Sequence, residues 1–251
     1  MGERDGKDAA RLTGVGVGPG DAGLLTLAAL EVLESADRVV APTTELSRPG
    51  RAESIVAAAV PGVVFDRLLF DMSPDDEGGA EARAASHRSA AARLVPWLRR
   101  GEHVAFVTLG DPNLYSTFPS LVRALGELGW QGRVETVPGI TAFQALAAAT
   151  GTVLLDGTES LSLVTALDGV DEVAEALEHP DRAVVVYKGG RHIGAVAQLL
   201  ASSGRLDGAV FGERLGLRDE RVGPIEAVGD GPASYLVTVV VPPVARDKGA
   251  R

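Results

Sequence analysis

The chain has 251 residues, with 34 acidic and 24 basic side chains and a formal net charge of −10. This charge disfavours non-specific nucleic-acid binding, because such a protein needs a dense basic surface. The absence of cysteine excludes disulfides, thiolate zinc sites and a cysteine nucleophile. The four histidines show no metal-ligand spacing. No apolar run is long enough to span a membrane, so we expect a cytoplasmic protein with no membrane partner.

Apolar strand patterns alternate with helical patterns through the first half of the chain. The predicted strands are Leu12–Gly18, Arg38–Ala41, Val63–Phe70 and a run starting at His103, and the predicted helices are Leu24–Ser35, Ala52–Val60 and Ala80–Arg100. This alternation predicts a mostly parallel sheet wrapped by helices. We expect a first domain at residues 11–128, after a flexible tail at 1–10.

Glycines at positions 126, 129 and 132 predict a hinge, with a second domain at residues 133–244 and a flexible tail at 245–251. Its predicted strands are Val134–Val137, Ser160–Thr165, Ala183–Tyr187, Ala209–Glu213, Arg221–Ala227 and Tyr235–Val241, and its predicted helices are Ala142–Ala149, Val173–Leu177 and Ile193–Ala201. The last three strands are joined by short connections, which favour antiparallel pairing, so the second sheet should be mixed. The predicted fold class is therefore α/β, with two α/β domains.

A glycine-rich run, Gly14–Asp21, stands between the first strand and the first helix. Backbone N–H groups at such a junction can face an anion. A dinucleotide-binding fingerprint fails, because its third glycine position falls on Pro19 or on Asp21, depending on where the motif starts. The run is either a ligand-binding turn or a tight turn in which Asp21 caps the helix.

Two further strand-to-helix junctions have the same character. Gly110, Asp111 and Pro112 follow the strand at His103 and precede three hydroxyl-bearing residues, Tyr115, Ser116 and Thr117. An Asx-type turn explains the first three residues but not the hydroxyl cluster, which favours a binding site at the end of the strand. At the third junction, within Val137–Phe143, Thr141 is either a ligand contact or a helix cap.

A basic turn follows the predicted strand at residues 183–187. Lys188, Arg191 and His192 surround two glycines there, and they could meet carboxylates or simply be solvated at a strand end.

The ordered set of these motifs resembles the tetrapyrrole methylases, a family that uses S-adenosyl-L-methionine. The resemblance rests on Gly14–Leu27 (GVGVGPGDAGLLTL), Thr108–Phe118 (TLGDPNLYSTF) and Val137–Phe143 (VPGITAF), and it extends from about residue 12 to residue 241. Within the family, GDPNLYST, Arg67–Met72 (RLLFDM), Gly157–Leu161 and Lys188–Arg191 are similar to the enzymes that methylate C20 of precorrin-2 in cobalamin biosynthesis.

This resemblance implies a fold with two α/β domains and S-adenosylmethionine bound in the cleft between them. Carried over position by position, it implies cofactor contacts from Pro19, Leu109, Gly110, Asp111, Leu114, Tyr115, Ser116, Thr117, Thr141, Ala142, Lys188, Leu215 and Tyr235. Thr141 stands where this subgroup often has serine, which keeps the hydroxyl. Asp168 and Gly169 depart from the usual pattern of the second domain.

The implied reaction is methyl transfer to precorrin-2, giving precorrin-3A, with a small-molecule tetrapyrrole as the partner and a homodimer as the assembly. No metal and no catalytic residue is assigned. The substrate carries several carboxylates, whereas the protein has a net negative charge. We therefore expect positive charge to be gathered locally at the substrate site, from Arg48, Arg51, Lys188 and Arg191. The alternatives are another corrin-ring position, the cobalt-containing substrate cobalt-factor II, a non-catalytic tetrapyrrole carrier, and a nucleotide-dependent dehydrogenase, which the failed fingerprint weakens.

Overall fold

The computed structural model describes residues 10–71, 79–229 and 231–244. The chain divides into two compact units, Met1–Thr141 and Ala142–Arg251. The tails expected at 1–10 and 245–251 lie outside the described residues, apart from Ala10, and so does Met72 of the RLLFDM motif. No helix in these described ranges is long and apolar enough to cross a membrane.

The described part of the first unit contains five strands in one parallel sheet, in the order β3-β2-β4-β1-β5. The strands are β1 (Arg11–Gly16), β2 (Arg38–Thr43), β3 (Phe65–Leu69), β4 (His103–Thr108) and β5 (Arg133–Val137), and the helices are α1 (Leu27–Ser35), α2 (Arg51–Ala59), α3 (Gly79–Arg99) and α4 (Phe118–Glu127). The predicted parallel sheet is therefore confirmed. Its central strand β4 is buried along its whole length, as expected for a strand covered on both faces.

The helices cover the two faces of this sheet in pairs. Leu33 of α1 and Ile55 of α2 share one apolar core with Val15 of β1, while Leu94 of α3 and Leu121 of α4 share another core. The connections that follow β1 and β4 therefore leave the sheet toward opposite faces, although the two strands are neighbours. This arrangement makes the carboxyl ends of β1 and β4 a topological switch point, the place where open α/β sheets bind ligands.

The first predicted helix starts later than the sequence pattern indicated. Asp21 does accept a hydrogen bond from the N–H of Gly23, but it caps only a short 3₁₀ turn at Ala22–Leu24. Leu25 and Thr26 are extended, and α1 begins after Thr26, whose hydroxyl accepts from the N–H of Ala29. Asp21 is thus a cap, but of a turn rather than of the helix.

The second unit contains a mixed sheet in its described residues, in the order β6-β7-β10-β8-β9. The strands are β6 (Ser160–Thr165), β7 (Arg182–Tyr187), β8 (Val210–Glu213), β9 (Arg221–Pro224) and β10 (Val237–Val241), and the helices are α5 (Ala142–Thr150), α6 (Asp171–Leu177) and α7 (Ile193–Ser202). β6 and β7 are parallel, whereas β10 pairs antiparallel with β7 and β8, and β9 pairs antiparallel with β8. This confirms the predicted mixed sheet.

The expected domain boundary needs a correction. The sequence placed residues 133–137 at the start of the second domain, but β5 pairs with β1 in the first sheet, and the second unit begins at Ala142. The glycines predicted as a hinge belong to α4 and to its connection to β5. Gly129 has a φ of 76°, which glycine adopts without strain, and Trp130 right after it packs into the first unit's core.

A buried histidine joins the amino ends of β1 and β4. Arg11 Nη2 lies 3.0 Å from Nδ1 of His103, and Thr13 Oγ1 lies 2.9 Å from its Nε2. Because arginine only donates, Nδ1 accepts, so the proton of the neutral ring resides on Nε2 and is donated to Thr13. Burial lowers the pKa of His103, as does the positive charge of Arg11, and these effects outweigh the opposite influence of Asp37 and Glu135.

We therefore expect stability to fall on mild acidification. Because the pKa of His103 is lower in the folded chain than the usual 6.5, the unfolded chain binds more protons between the two values. The contribution of neutral His103 to the free energy of unfolding is fully present above pH 6.5 and is lost as the pH falls toward the folded pKa. The free energy of unfolding then falls by at most about 1.4 kcal/mol per pH unit. Urea unfolding measured between pH 7.5 and 5.5 gives the free energy of unfolding at each pH. This free energy should fall less steeply with falling pH in His103→Gln than in the parent.

The matched control is His179→Gln, because His179 is exposed. This variant should keep the parental slope. His87, whose pKa burial also lowers, is present in all three proteins and contributes equally. If the free energy of unfolding of His103→Gln depended on pH as steeply as that of the parent, the lowered pKa of His103 would be contradicted.

Candidate functional site

The candidate site lies where β1, β4 and β5 end, at the switch point of the first unit. Backbone hydrogen bonds continue past the strands. The N–H of Val17 donates to the carbonyl of Thr108 at 3.0 Å, and Gly18 and Gly110 exchange two bonds of 3.3 and 2.8 Å. The glycine-rich loop after β1 and the Gly-Asp-Pro turn after β4 are therefore fixed side by side.

Glycine is required where these loops meet the third turn. A Cβ atom placed on Gly16 would lie 2.5 Å from the backbone N of Gly139 and 2.7 Å from the carbonyl oxygen of Gly110. The three segments thus pack backbone against backbone. Gly110 itself has a φ of 68°, and a Cβ there would meet no atom within 4 Å. The turn after β4 faces open space, and its glycine leaves room for a ligand to approach the backbone.

Asp111 ties two of the turns together. Its Oδ1 accepts from the N–H of Asn113 at 2.8 Å, and its Oδ2 accepts from the N–H of Gly139 at 3.0 Å. The first bond is the Asx-type turn that the sequence suggested. The second was not predicted, because it joins residues 28 positions apart. Asp111 is therefore a turn-forming residue and a brace between the loops after β4 and β5.

The hydroxyl cluster after Asp111 has mixed roles. Ser116 Oγ donates to the carbonyl of Pro112 at 2.5 Å and accepts from the N–H of Phe118 at 3.2 Å, so this hydroxyl closes the turn at the start of α4. Tyr115 is about half exposed and has a φ of 50°. A positive φ in a bulky residue costs on the order of 1–3 kcal/mol, and such strain concentrates at functional sites.

The remaining predicted residues of the first unit flank these turns. Pro19 is buried in the loop after β1, Leu109 and Leu114 are half-buried around the turn after β4, and Thr117 and Thr141 directly precede α4 and α5. The structure therefore gathers the predicted cofactor-contacting residues of this unit at the carboxyl ends of the strands of one sheet, which we call the carboxyl edge. Arg48 and Arg51 follow β2, the strand next to β4, and lie at the same edge.

The predicted residues of the second unit form two groups. Lys188 has a φ of 58°, and its Nζ lies 6.0 Å from the centre of the Tyr235 ring, while Arg191 is exposed in the following 3₁₀ turn. Leu215 and Ala142 instead belong to an apolar cluster built around Leu146, Val185 and Val240.

One important residue of this unit was missed by the sequence analysis. Glu213, at the end of β8, is only 6% exposed. Its carboxylate accepts from the N–H of Ser234 at 2.5 Å and from Arg221 at 2.6 Å, and Ala233 donates to the carbonyl of Gly190 at 2.9 Å. These bonds fasten the segment before Tyr235 to the turn after Lys188. The sequence feature that could have indicated Glu213 is a charged residue at the end of an otherwise apolar strand.

In the described ranges, no group of three or more histidine, aspartate or glutamate side chains could hold a metal ion.

Comparison with known proteins decides the family. Residues 11–228 match the family model of the tetrapyrrole (corrin/porphyrin) methylases. The chain belongs to the tetrapyrrole methylase family. It is 31% identical over 242 residues to a precorrin-2 C(20)-methyltransferase from Sinorhizobium sp, covering 94% of this chain and 97% of that protein. It is 32% identical over 234 residues to a cobalt-precorrin-2 C(20)-methyltransferase from Salmonella typhimurium, covering 92% and 95%.

Solved structures of tetrapyrrole methylases share the fold. The cobalt precorrin-4 methyltransferase CbiF superposes with a TM-score of 0.66 at 20% identity, covering 93% of this chain and 95% of that one. Uroporphyrin-III-C-methyltransferase from Thermus thermophilus superposes with a TM-score of 0.62 at 25% identity, covering 96% and 99%. The predicted family and fold class are therefore confirmed.

Tetrapyrrole methylases of this type use S-adenosyl-L-methionine as methyl donor, and this chain is an S-adenosylmethionine-dependent methyltransferase. At the switch point of the first unit, Gly110 leaves open space beside the backbone, which gives room for a ligand to approach.

Proposed function

We propose that this chain methylates C20 of precorrin-2, giving precorrin-3A, in cobalamin biosynthesis. The observation that carries the proposal is the 31% identity to the Sinorhizobium precorrin-2 C(20)-methyltransferase, which extends over nearly the full length of both chains. The GDPNLYST segment that suggested this subgroup forms the strained, partly exposed turn at the switch point.

The cobalt-containing substrate is the second candidate. The Salmonella relative, named for cobalt-precorrin-2, is 32% identical over a similar span. A relative from Methanocaldococcus jannaschii, named a probable cobalt-precorrin-2 C(20)-methyltransferase, is 38% identical over 154 residues. Both candidates share the acceptor carbon and the methyl donor, so the metal content of the ring is the only difference to test.

The proposed cofactor contacts follow the family resemblance. In the first unit they are Pro19, Leu109, Gly110, Asp111, Leu114, Tyr115, Ser116, Thr117 and Thr141, and in the second unit they are Ala142, Lys188, Leu215 and Tyr235. Their support in the first unit is that they surround one sheet edge. Asp111 and Ser116 act there mainly through the turns that they hold.

When bound, S-adenosylmethionine supplies a methyl group on a positively charged sulfur. The acceptor carbon is electron-rich, so the chain needs no covalent nucleophile. The task of the protein is to hold the acceptor in line at about 3–3.5 Å from the methyl group, which converts a bimolecular step into an effectively unimolecular one. The rigid contacts among the loops of the first unit suit this task, because they leave little freedom for misalignment.

The decisive experiment supplies the purified chain with S-adenosylmethionine and either precorrin-2 or its cobalt form under anaerobic conditions. We expect one added methyl by mass spectrometry and one equivalent of S-adenosylhomocysteine, with NMR of the product placing the methyl at C20. The preferred form is the one with the higher kcat/KM. Neither product with either substrate would refute the proposal, and methylation elsewhere would move the chain to another ring position.

The cationic residues proposed for the substrate carboxylates can be tested separately. Arg51→Ala and Arg191→Ala should each raise the substrate KM about three- to tenfold, because each removes one partly solvated ion contact. The Kd for S-adenosylmethionine should stay unchanged. Arg99→Ala, an exposed arginine in the last turn of α3, is the control and should leave both constants unaltered. An unchanged substrate KM in both test variants would remove these residues from the substrate site.

A homodimer in the cytoplasm completes the proposal. The family resemblance suggests the dimer, and the absence of cysteine is compatible with a reducing compartment. Light scattering on the purified chain would give the assembly directly, and a mass near 26 kDa, that of one 25.9 kDa chain, would contradict the dimer.

A further inference from the structure

The loop between β2 and α2, residues 44–50, is held at both ends by hydrogen bonds and close backbone packing. At its start, Thr43 Oγ1 lies 2.8 Å from the carbonyl of Glu45 and 3.2 Å from that of Arg48, and it accepts from the N–H of Glu45 at 3.1 Å. At its end, Gly50 packs against the carbonyl of Pro42 so closely that a Cβ would clash with it. Both ends of the loop are therefore fixed.

An ion pair between a buried carboxylate and a partly exposed arginine fixes its middle. Arg67 of β3 donates from Nε and Nη2 to Glu53 of α2 at 2.8 and 2.7 Å, and from Nη1 to the carbonyl of Leu46 at 3.0 Å. Glu53 is only 5% exposed. Desolvation of the Glu53 carboxylate offsets much of its attraction to Arg67, so the pair adds geometric definition more than stability. All the side-chain bonds that the structure gives Arg67 serve to place the loop against β3 and α2.

The surface held in this way combines apolar and cationic groups. Leu46 and Leu69 are both 50% exposed. Leu69 is the register partner of Thr43 and lies two residues after Arg67, on the same face of β3. Arg48 is exposed within the loop, where it lies 3.6 Å from the carboxylate of Glu45, and Arg51 opens α2. A flat apolar ring with carboxylates on its rim would complement this surface, because the ring can contact the leucines and the carboxylates can contact the arginines.

The position of this surface also fits an acceptor. β2 is the neighbour of β4, and neighbouring strands lie about 5 Å apart. The β2–α2 loop therefore stands beside the Gly-Asp-Pro turn after β4, at the same edge of the sheet.

We propose that the β2–α2 loop and the adjoining Leu69 of β3 form a binding surface for the tetrapyrrole acceptor, with Leu46 and Leu69 contacting the ring. Glu53 and Arg67 are positioning residues for the loop. The inference rests on the proposed function. Glu53 and Arg67 need not touch the ring, because they act through the loop that carries Leu46. Their loss should therefore weaken acceptor binding and leave binding of the methyl donor unchanged.

The test measures anaerobic precorrin-2 binding by absorbance titration without S-adenosylmethionine, and KM and kcat with it. Glu53→Gln and Arg67→Lys should each weaken precorrin-2 binding and raise its KM about tenfold, since small displacements of positioning groups are costly. The Kd for S-adenosylmethionine should not change. Leu46→Ser should also weaken precorrin-2 binding and raise its KM, with an unchanged Kd for S-adenosylmethionine and an unchanged free energy of unfolding. This variant tests the proposal even if Glu53→Gln or Arg67→Lys fails to fold.

The matched control is Arg38→Lys. Arg38 pairs with Asp66 at 3.0 Å on the same two strands, but at their amino ends. This variant should lose stability without losing precorrin-2 affinity. A wild-type chain that neither binds nor methylates precorrin-2 would refute the proposed function. A wild-type chain that does both, while Leu46→Ser and the pair variants bind precorrin-2 as Arg38→Lys does, would overturn this inference alone.

Discussion

Gly16→Ala is expected to lower the affinity for S-adenosylmethionine at least about tenfold and the free energy of unfolding by about 2–3 kcal/mol. The added methyl group would lie 2.5 Å from the N of Gly139 and 2.7 Å from the carbonyl oxygen of Gly110. Both neighbours are backbone atoms, so no side chain can rotate away to relieve the overlap. The loops after β1, β4 and β5 would have to separate, and the proposed cofactor contacts would separate with them. Titration calorimetry and urea unfolding measure the two effects.

The control for Gly16→Ala is a glycine with space around it. Gly126 lies inside α4, and a Cβ there would meet nothing within 4 Å. Gly126→Ala should therefore be neutral or stabilising by up to about 1 kcal/mol, because alanine is the better helix former. If Gly16→Ala bound S-adenosylmethionine as tightly as Gly126→Ala does, the close approach of the three loops would have no part in cofactor binding.

Asp111→Ala should destabilise the chain by about 2–4 kcal/mol, because it leaves the N–H groups of Asn113 and Gly139 without their acceptor. The affinity for S-adenosylmethionine should fall about ten- to a hundredfold as the turns after β4 and β5 lose their brace. Asp111→Asn should be intermediate, since the amide retains one acceptor oxygen where the carboxylate has two. Amide exchange at Gly139 should accelerate in both variants.

Asp21→Ala is the matched control for this prediction. Asp21 also caps a turn at the same sheet edge, but it is exposed, and its side chain accepts from a neighbouring N–H, that of Gly23. Its loss should cost about 1 kcal/mol. Equal effects of Asp21→Ala and Asp111→Ala on stability and on cofactor affinity would show that the long-range bond to Gly139 contributes nothing.

Much of the fold was predictable because burial leaves a periodic trace in the sequence. Strand and helix patterns alternated through the first unit, and short connections after residue 202 indicated antiparallel pairing. The prediction failed at β5, whose residues 133–137 are largely exposed because the strand lies at an edge of the sheet. An exposed edge strand carries little information about the sheet that it joins, and the adjacent glycines suggested a hinge where the structure has only a turn.

The candidate site divides in the same way. The three strand-to-helix junctions could be found because glycine, proline and aspartate have local conformational reasons to stand there. The buried carboxylates that hold other segments of the two units in place could not be found in this way. Glu53 and Glu213 are buried carboxylates whose partners, Arg67 and Arg221, are identified only when neighbouring strands and helices are in place.

By itself, the sequence determined the α/β class and the order of the three turns, and the resemblance of those turns to the tetrapyrrole methylases implied the family and its methyl donor. The fold class and the turns depend on local periodicity and on residue types with local conformational preferences, which can be read from the chain directly. Only the tertiary structure decided that β5 completes the first sheet, and that Asp111 braces Gly139 as well as forming its own turn. Each of these depends on two distant segments meeting in space, and the free energy of that meeting comes from the whole packed sheet rather than from either segment alone.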